Sequence, residues 1–276
     1  SNQPASITSP PFMDSTVTFL CTGPTPGVPV IGCRCAICQS DDPRNNRTRS
    51  SLHLRTPGAS LLVDFGPDLR IQALRENLTV VDSVLLTHTH LDHIAGFDEL
   101  RAFCWHRDSP LPIHASRDSI ATLQQMFPWA FEDHGYRGYV RPDPIPFDGP
   151  FQIADLGITP LLVEHGSVTT HGFRFEFPGD AGSLAFISDV KSIPETTMLL
   201  LKDLDVLVID ALRHGHHHTH MSIGEALDTI NAIAPRRTLL THLSHEVDYE
   251  QTTSQLPDRV SIAHDRLKLH FRPKQT

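Results

Sequence analysis

The chain has 276 residues, of which 32 are acidic and 23 basic, so its formal net charge is −9. Folding of a chain this long should bury roughly 70 to 75% of its surface, which excludes a disulfide-stapled miniprotein. The acidic balance argues against a general polyanion-binding surface, because phosphate contacts need clustered Lys and Arg. No apolar run in the sequence approaches the roughly 18 residues that cross a bilayer, and no secretory leader pattern opens it. These features predict a soluble, cytoplasmic protein.

Strand and helix patterns alternate along the sequence, which predicts an α/β or mixed α+β fold. Residues 1–14 are polar and proline-rich, and we expect them to be a disordered or tag-like N-terminus. Residues 15–276 contain no linker or internal repeat and are predicted to form a single domain. Helical spacing predicts helices over residues 92–103, 116–126 and 222–233, and Pro235 follows the last of them as a stop signal.

Residues 105–150 are rich in proline and aromatic side chains, with Met126, Phe127, Trp129 and Phe131 close together. Such a segment can form a lid over a site, a surface for a homodimer, or a loop packed on the core. We favour the packed loop, because apolar residues are most often simply buried.

Polar side chains follow four separate apolar runs of strand length. These runs span residues 84–86, 161–163, 184–187 and 238–240, and the polar residues after them are His88, His90, Asp92, His93, His165, Asp189 and His242. A core strand that merely tolerates a polar residue does not predict this repetition. A site built on the loops of a rigid sheet does.

The first of these groups has the chemistry of a metal site. His88 and His90 are two residues apart and project to the same side of an extended stretch, whereas Asp92 and His93 begin the next helix and face a second position. Imidazole and carboxylate ligands suit Zn(II), Mn(II) or Fe(II), and the absence of cysteine among them argues against a closed structural zinc. The alternative is that these four residues are merely solvated loop side chains. That interpretation does not explain the three further polar residues that follow other strands.

The pattern His-x-His-x-Asp-His, followed by a later His, an Asp and a last His, resembles that of the metallo-β-lactamase superfamily. The resemblance implies an αβ/βα sandwich of two mixed β-sheets flanked by helices, over about residues 17 to 245. It also implies two divalent ions. The first would be held by His88, His90 and His165 and the second by Asp92, His93 and His242, with Asp189 as the bridge.

Three of the five cysteines form a second cluster. Cys33, Cys35 and Cys38 are too close together for an ordinary disulfide framework, and their C-x-C-x-x-C spacing favours a structural zinc site. Such a site takes four ligands, and His245, three residues beyond His242, is a spare histidine that can complete it. Cys21 and Cys104 have no such neighbours in the sequence, and we interpret them as small core residues.

This cysteine motif resembles one branch of the superfamily, the PhnP-type cyclic phosphodiesterases. The run FLCTGPTPGVP at residues 19–29 and the stretch Arg47-Thr-Arg49-Ser-Ser51 resemble the same branch. The branch implies a structural zinc remote from the chemistry. It further implies hydrolysis of a small phosphodiester, cyclic or acyclic, by a hydroxide that bridges two metal ions. A membrane partner is not expected, and the net charge of −9 argues against a nucleic-acid partner.

Phosphodiester hydrolysis also needs a proton for the leaving group. The histidine-rich run at residues 214–220 follows an apolar run at residues 206–210, and most of its members are expected to be solvated. His220 precedes Met221 and Ser222 at a helix start, which resembles the place where PhnP-type enzymes carry their acid. We therefore predict His220 as general acid beside the catalytic Asp189 and Asp92, with Glu225 as its candidate partner.

Three alternatives remain open. A thioesterase of the glyoxalase II kind shares the seven ligands, but that resemblance gives the cysteine cluster no role. A tRNA 3′-processing nuclease shares them too, but it needs a basic docking arm that the sequence does not show. The third is a non-hydrolytic metal-binding protein like those of PQQ biosynthesis, some of which also carry C-x-C-x-x-C. Turnover of any phosphodiester would exclude it.

Overall fold

The computed structural model describes residues 14–105, 107–132 and 138–274. These residues contain fourteen strands in two seven-stranded sheets. The strands are β1 (Ser15–Phe19), β2 (Leu52–Arg55), β3 (Ser60–Val63), β4 (Ser83–Leu85), β5 (Leu111–Ala115), β6 (Pro142–Pro146), β7 (Phe151–Ile153), β8 (Leu156–Val163), β9 (Thr170–Phe177), β10 (Gly182–Ile187), β11 (Val206–Asp210), β12 (Arg237–Thr241), β13 (Val260–Ile262) and β14 (Lys268–Phe271).

Each sheet is half antiparallel and half parallel. The first has the order β14-β1-β2-β3-β4-β5-β6, with antiparallel pairs as far as β3 and parallel pairs beyond it. The second has the order β13-β12-β11-β10-β9-β8-β7, parallel from β13 to β10 and antiparallel from there to β7. Strands β8, β10, β11 and β12 therefore run in the same direction, and their carboxyl ends lie at one edge.

Helices cover the outer face of each sheet. They are α1 (Leu69–Arg75), α2 (Leu91–Ile94), α3 (Arg101–Cys104), α4 (Arg117–Met126), α5 (Pro128–Phe131), α6 (Glu195–Leu199), α7 (Ile223–Ile233) and α8 (Tyr249–Thr253), with 3₁₀ turns at Pro43–Asn45 and Phe97–Leu100. Side chains alternate across each strand, so one set packs between the sheets while the other packs under helices. The predicted αβ/βα sandwich of two mixed sheets is confirmed.

Two of the three predicted helices form as expected. Ser116 and Ser222 accept the hydrogen bonds that cap α4 and α7, and Glu225 completes a capping box with Ser222. The predicted helix over residues 92–103 is wrong, because the chain breaks after Ile94 into a 3₁₀ turn and then α3. At this break the Gly96 N–H donates to the Phe65 carbonyl over 2.9 Å, outside the helix, and a Cβ at Gly96 would lie 2.1 Å from the carbonyl oxygen of Gly66.

The segment at residues 105–150 is part of the sandwich in its described portion. It contributes β5, β6, α4 and α5, and the Phe127 ring stacks on Phe97 at 4.3 Å between centroids. Trp129 and Phe131 also pack against this core, whereas Met126 is 42% exposed. The favoured interpretation as core packing is confirmed for these aromatic side chains. Residues 106 and 133–137 lie outside the described residues.

Residues 1–13, within the predicted tag-like terminus, likewise lie outside the described residues. Asp14 is the first that the structure describes, and its Oδ2 lies 3.0 Å from Nε of Arg272. None of the helices in the described part of the chain combines the length and the apolar character needed to cross a membrane. Cys21 and Cys104 are buried free thiols, as predicted.

Candidate active site

The edges of the two sheets meet where the predicted ligands lie. His165, Asp189 and His242 follow β8, β10 and β12 of the second sheet, and the His88 group follows β4 of the first. A backbone hydrogen bond links the two edges, because the N–H of His171, near the start of β9, donates to the carbonyl of Thr87 over 3.0 Å. The fold thus brings all seven predicted side chains to one place. Six of them are at most 4% exposed, and His90 is exposed at the mouth.

Three imidazoles form the first group. His88 Nε2 lies 3.0 Å from His90 Nδ1, and His165 Nε2 lies 3.2 Å from the same His90 atom. The other ring nitrogen of His165 donates to the Thr219 carbonyl over 2.8 Å, which presents Nε2 as a lone pair. This group has the geometry of the first predicted metal position.

Asp189 lies between the first group and the second. Its Oδ2 is 3.2 Å from His93 Nε2, and its Oδ1 is 3.4 Å from His242 Nε2 and 3.9 Å from His165 Nε2. Asp92 Oδ2 completes the second group at 3.5 Å from His93 Nε2. Asp189 thus lies within 4 Å of ring nitrogens from both groups.

Burial and charge set the protonation of these groups. Burial lowers the pKa of His88 and His165, and it lowers that of His242 to about 4, so these rings keep their lone pairs. Burial opposes the charge of Asp189, but His242 and His93 hold its pKa well below the usual range. The pKa of His93 is raised despite burial, because it faces the carboxylates of Asp189 and Asp64.

Several buried polar atoms here have no hydrogen-bond partner among the described residues. They are Nε2 of His93, Oδ2 of Asp189 and both ring nitrogens of His242. Unpaired buried polar atoms are costly and rare, and bound ions are one established explanation. Imidazole and carboxylate donors are the set that Zn(II), Mn(II) and Fe(II) bind. The residues therefore fit divalent ions.

Asp64 is a site residue that the sequence analysis missed. Its Oδ2 accepts a hydrogen bond from His93 Nδ1 over 2.7 Å, and its oxygens also accept from the backbone N–H and hydroxyl of Thr87 at 2.8 Å. A carboxylate behind a ligating histidine fixes the ring and raises its basicity. Asp64 directly follows the strand β3, so the strand-end rule that identified the other residues could have found it.

His220 lies beside both groups, where the sequence predicts an acid. Its ring centroid is 4.6 Å from that of His165 and 4.7 Å from that of His242. Its partner is Asp210, whose Oδ2 is 2.6 Å from His220 Nδ1. Burial lowers the pKa of His220, but Asp210 raises it above the ordinary value, and burial raises the pKa of Asp210 to about 7.

The prediction that Glu225 is the partner of His220 is wrong. Its carboxylate accepts from the Ser222 N–H over 2.7 Å and from Lys191 Nζ over 2.6 Å, because the capping box turns it toward the helix start. Of the other histidines in the run, His214, His216 and His218 are exposed, as expected. His217 is half-buried, with its ring centroid 5.1 Å from that of His220.

The three cysteines and His245 also come together. The Nδ1 atom of His245 lies 3.3 Å from Cys33 Sγ and 3.5 Å from Cys35 Sγ. Together with Cys38 they offer four ligand atoms, which all lie within 4.8 Å of one another. The pKa of Cys35 is lowered to about 6, chiefly by the backbone N–H of Cys38. Four converging donors of this kind suit a tetrahedral zinc.

The β-lactamase superfamily domain model matches residues 60–243, more than half of the chain. The chain belongs to the metallo-β-lactamase superfamily, whose fold implies divalent metal ions and, in general, hydrolytic chemistry. Within this superfamily, the chain is 35% identical in sequence to a diphosphatase from the PhnP family whose crystal structure is known. That match has a TM-score of 0.86 and covers 94% of this chain and 98% of the other. The predicted likeness to the PhnP family is thus confirmed.

Two other relatives show how widely this fold is used. The chain is 35% identical over 255 residues to an octanoyltransferase of Porphyromonas gingivalis, which covers 91% of this chain, but the chain spans only 50% of that protein. The crystal structure of zinc-bound PqqB from Methylobacterium extorquens has a TM-score of 0.75 at 22% identity, covering 92% of this chain and 99% of that one. This second likeness is one of fold.

Proposed function

We propose that the protein is a dinuclear metal-dependent phosphodiesterase that acts on a small substrate, cyclic or acyclic. The observation that carries this proposal is the His220–Asp210 pair beside both ligand groups. An alkoxide leaving group needs a proton, whereas a thiolate with a pKa near 8.5 leaves without one. An acid at this position therefore favours an oxygen ester over the thioester of a glyoxalase II-type enzyme.

The seven strand-end side chains would hold the metal ions, with Asp189 shared between the two groups. Divalent ions there supply Lewis-acid stabilisation of the phosphoryl oxygens and an activated water. Zn(II), Mn(II) and Fe(II) all suit this donor set. The carboxylates of Asp64 and Asp189, which lie 2.7 Å and 3.2 Å from the two ring nitrogens of His93, would offset the positive charge of the ions.

His220 would deliver the proton. Asp210 holds the Nδ1–H, which leaves Nε2 as the ring nitrogen that exchanges a proton with the leaving oxygen. Asp210 stabilises the protonated imidazole and fixes the ring, as a carboxylate partner does in other acid–base pairs. The rings of His165 and His242 on either side restrict its rotation.

A diphosphate diester is the second candidate substrate, because the PhnP-family structure that is 35% identical is a diphosphatase. A phosphate leaving group is stable as an anion and depends little on an acid. Dependence of the rate on His220 therefore separates the two classes of substrate.

The test is a substrate panel on protein loaded separately with Mn(II) and Zn(II). It compares bis(p-nitrophenyl) phosphate, cyclic nucleotides, a ribose 1,2-cyclic phosphate, a dinucleoside diphosphate and a thioester. We expect phosphodiester turnover that a chelator abolishes and metal restores. Preference for the diphosphate would select the second candidate. Thioester turnover alone, or no turnover of any substrate, would refute the proposal.

A further inference from the structure

A turn near the N-terminus of the described chain contacts the dinuclear site. The hydroxyl of Thr25 donates a 3.0 Å hydrogen bond to Oδ2 of Asp92, from 67 residues away in the sequence. Asp92 is 4% exposed and belongs to the second ligand group. The proposed chemistry assigns no role to Thr25.

This turn is fixed closely against its neighbours. The Gly27 N–H closes it on the Pro24 carbonyl at 2.7 Å, and Val28 exchanges two backbone hydrogen bonds of 2.8 Å with Arg47. At the start of the turn, a Cβ on Gly23 would lie only 2.6 Å from the Arg47 carbonyl oxygen, so glycine is required there. Thr25 is thus carried on backbone that is joined to the stretch around Arg47 and moves together with it.

The turn leads directly into the cysteine cluster. The Val30 N–H donates to Cys38 Sγ over 3.3 Å, and the Cys33 N–H donates to the Val30 carbonyl over 3.0 Å. Beyond this point, residues 31–42 form turns, bends and irregular chain. The structure describes all twelve of these residues, and none of them is buried. Ile31 is 97% exposed. A segment with so little buried apolar surface has little local stability of its own.

The cluster is also joined to the opposite side of the dinuclear site. His245 is three residues beyond His242, and the intervening Leu243 N–H donates to the Thr22 carbonyl over 3.0 Å. The buried guanidinium of Arg47 donates to the carbonyl of Ser244 over 2.9 Å. One ion held by three cysteines and His245 would therefore fasten the Thr25 turn to the loop that carries His242.

We propose that Thr25 is a positioning residue for Asp92, and that metal in the cysteine cluster holds it there, so that the cluster and the dinuclear site are coupled. This inference rests on the proposed metal binding at both places. Outer partners of metal ligands typically contribute 10- to 100-fold in metal affinity. Because coupling between two binding sites is reciprocal, filling the dinuclear site must also tighten zinc binding by the cluster.

The experiment measures the affinity of the dinuclear site for Zn(II) and Mn(II) by competition with chromophoric chelators, on the full chain. Thr25→Val removes the hydroxyl with little change of shape, and Thr25→Ser is the conservative variant that keeps the hydroxyl. Cys35→Ser disrupts the cluster without touching any of the seven strand-end residues, and His245→Ala is a second cluster variant if Cys35→Ser does not fold. Thr122→Val is the matched control, because its hydroxyl donates to the Asp118 carbonyl within α4.

We expect Thr25→Val to weaken the dinuclear site by roughly 10- to 100-fold, with Thr25→Ser near wild type and Thr122→Val unchanged. The cluster variant should weaken the site similarly, and the double variant should lose little more than either single one, since both act through one contact. Wild-type affinity in Thr25→Val refutes the positioning role. Wild-type affinity in a cluster variant that has lost its zinc refutes the coupling. A wild-type chain that binds no metal at all would instead refute the proposed function.

Discussion

The two candidate metal clusters differ in what holds their side chains in place. The strand-end residues follow β4, β8, β10 and β12, and six of the seven are at most 4% exposed. The cysteine cluster lies on turns, and all four of its side chains are half-buried. Packing therefore preorganises the first cluster, whereas the second would depend on a bound ion for its order.

Two residues at the strand-end site also have strained backbone. His242 has φ of 59° and Asp64 has φ of 61°, in the left-handed region that such residues adopt at a cost of roughly 1–3 kcal/mol each. The cores on both faces of the sheets hold them there. Strain of this kind persists only where the surrounding structure over-determines it, which places the chemistry on the rigid part of the molecule.

The largest effect should come from removing the shared carboxylate. Asp189→Ala takes away the side chain that contacts both ligand groups, so phosphodiesterase activity should fall to background. The fold should persist, because the cores lie on the strands rather than on this side chain. Turnover and circular dichroism check this, with Asp148→Ala, an exposed partner of Arg117, as the control. Wild-type turnover in Asp189→Ala would exclude the dinuclear mechanism.

Removing the acid should have a selective effect. His220→Ala should slow esters with poor alkyl leaving groups by roughly 10²- to 10⁴-fold, while p-nitrophenyl esters are spared because their phenolate leaves unaided. His214→Ala, in the exposed part of the same run, serves as the control. Equal loss on both kinds of ester would place His220 in metal binding or positioning, and no loss on either would move the acid role to His217.

Asp64→Asn tests the support behind the ligands. The amide keeps the shape but loses the charge that faces His93, so the metal affinity of the dinuclear site should fall roughly 10- to 100-fold with the fold intact. The measurement is chelator competition. Asp82→Asn is the matched control, because Asp82 accepts from the Ser60 N–H rather than from a ligand. Equal affinities in the two variants would show that Asp64 has no role in metal binding.

The smallest effect on catalysis should come from the cysteine cluster. An ion that joins Cys38 to His245 closes a long loop and constrains the unfolded chain. Cys35→Ser should therefore lower the melting temperature by at least about 2–4 °C, the shift that roughly 1 kcal/mol produces in a domain of this size. The value of kcat at saturating metal should fall only modestly. An unchanged melting curve in Cys35→Ser would exclude a structural ion.

Much of the site could be predicted because its signals are local in sequence. Four of the seven strand-end residues lie within six positions, and the others each follow an apolar run. The same rule would have identified Asp64 after β3 and Asp210 at the end of β11, had it been applied to every strand. The cysteine motif could likewise be recognised from its C-x-C-x-x-C spacing, and His245 from its place three residues after His242.

The remainder depends on contacts that spacing does not encode. Thr25 contacts Asp92 from a turn that packs on Arg47, and no local sequence pattern marks this contact. The apolar spacing over residues 92–103 continued past Gly96, but the Gly96 N–H bonds to the Phe65 carbonyl, a contact that the local sequence does not reveal. Glu225 was assigned to the wrong partner for a similar reason, because its capping box could be seen only with the helix start in place.

The most direct test of the central contrast is to count metal ions per chain by mass spectrometry after dialysis against a weak chelator. The wild-type protein should hold three, two at the strand ends and one in the cysteine cluster. Cys35→Ser should lose the cluster ion, and Asp189→Ala should keep that ion while losing at least one from the strand ends. A wild-type chain with one ion or none, or an Asp189→Ala variant that retains all three, would contradict the account.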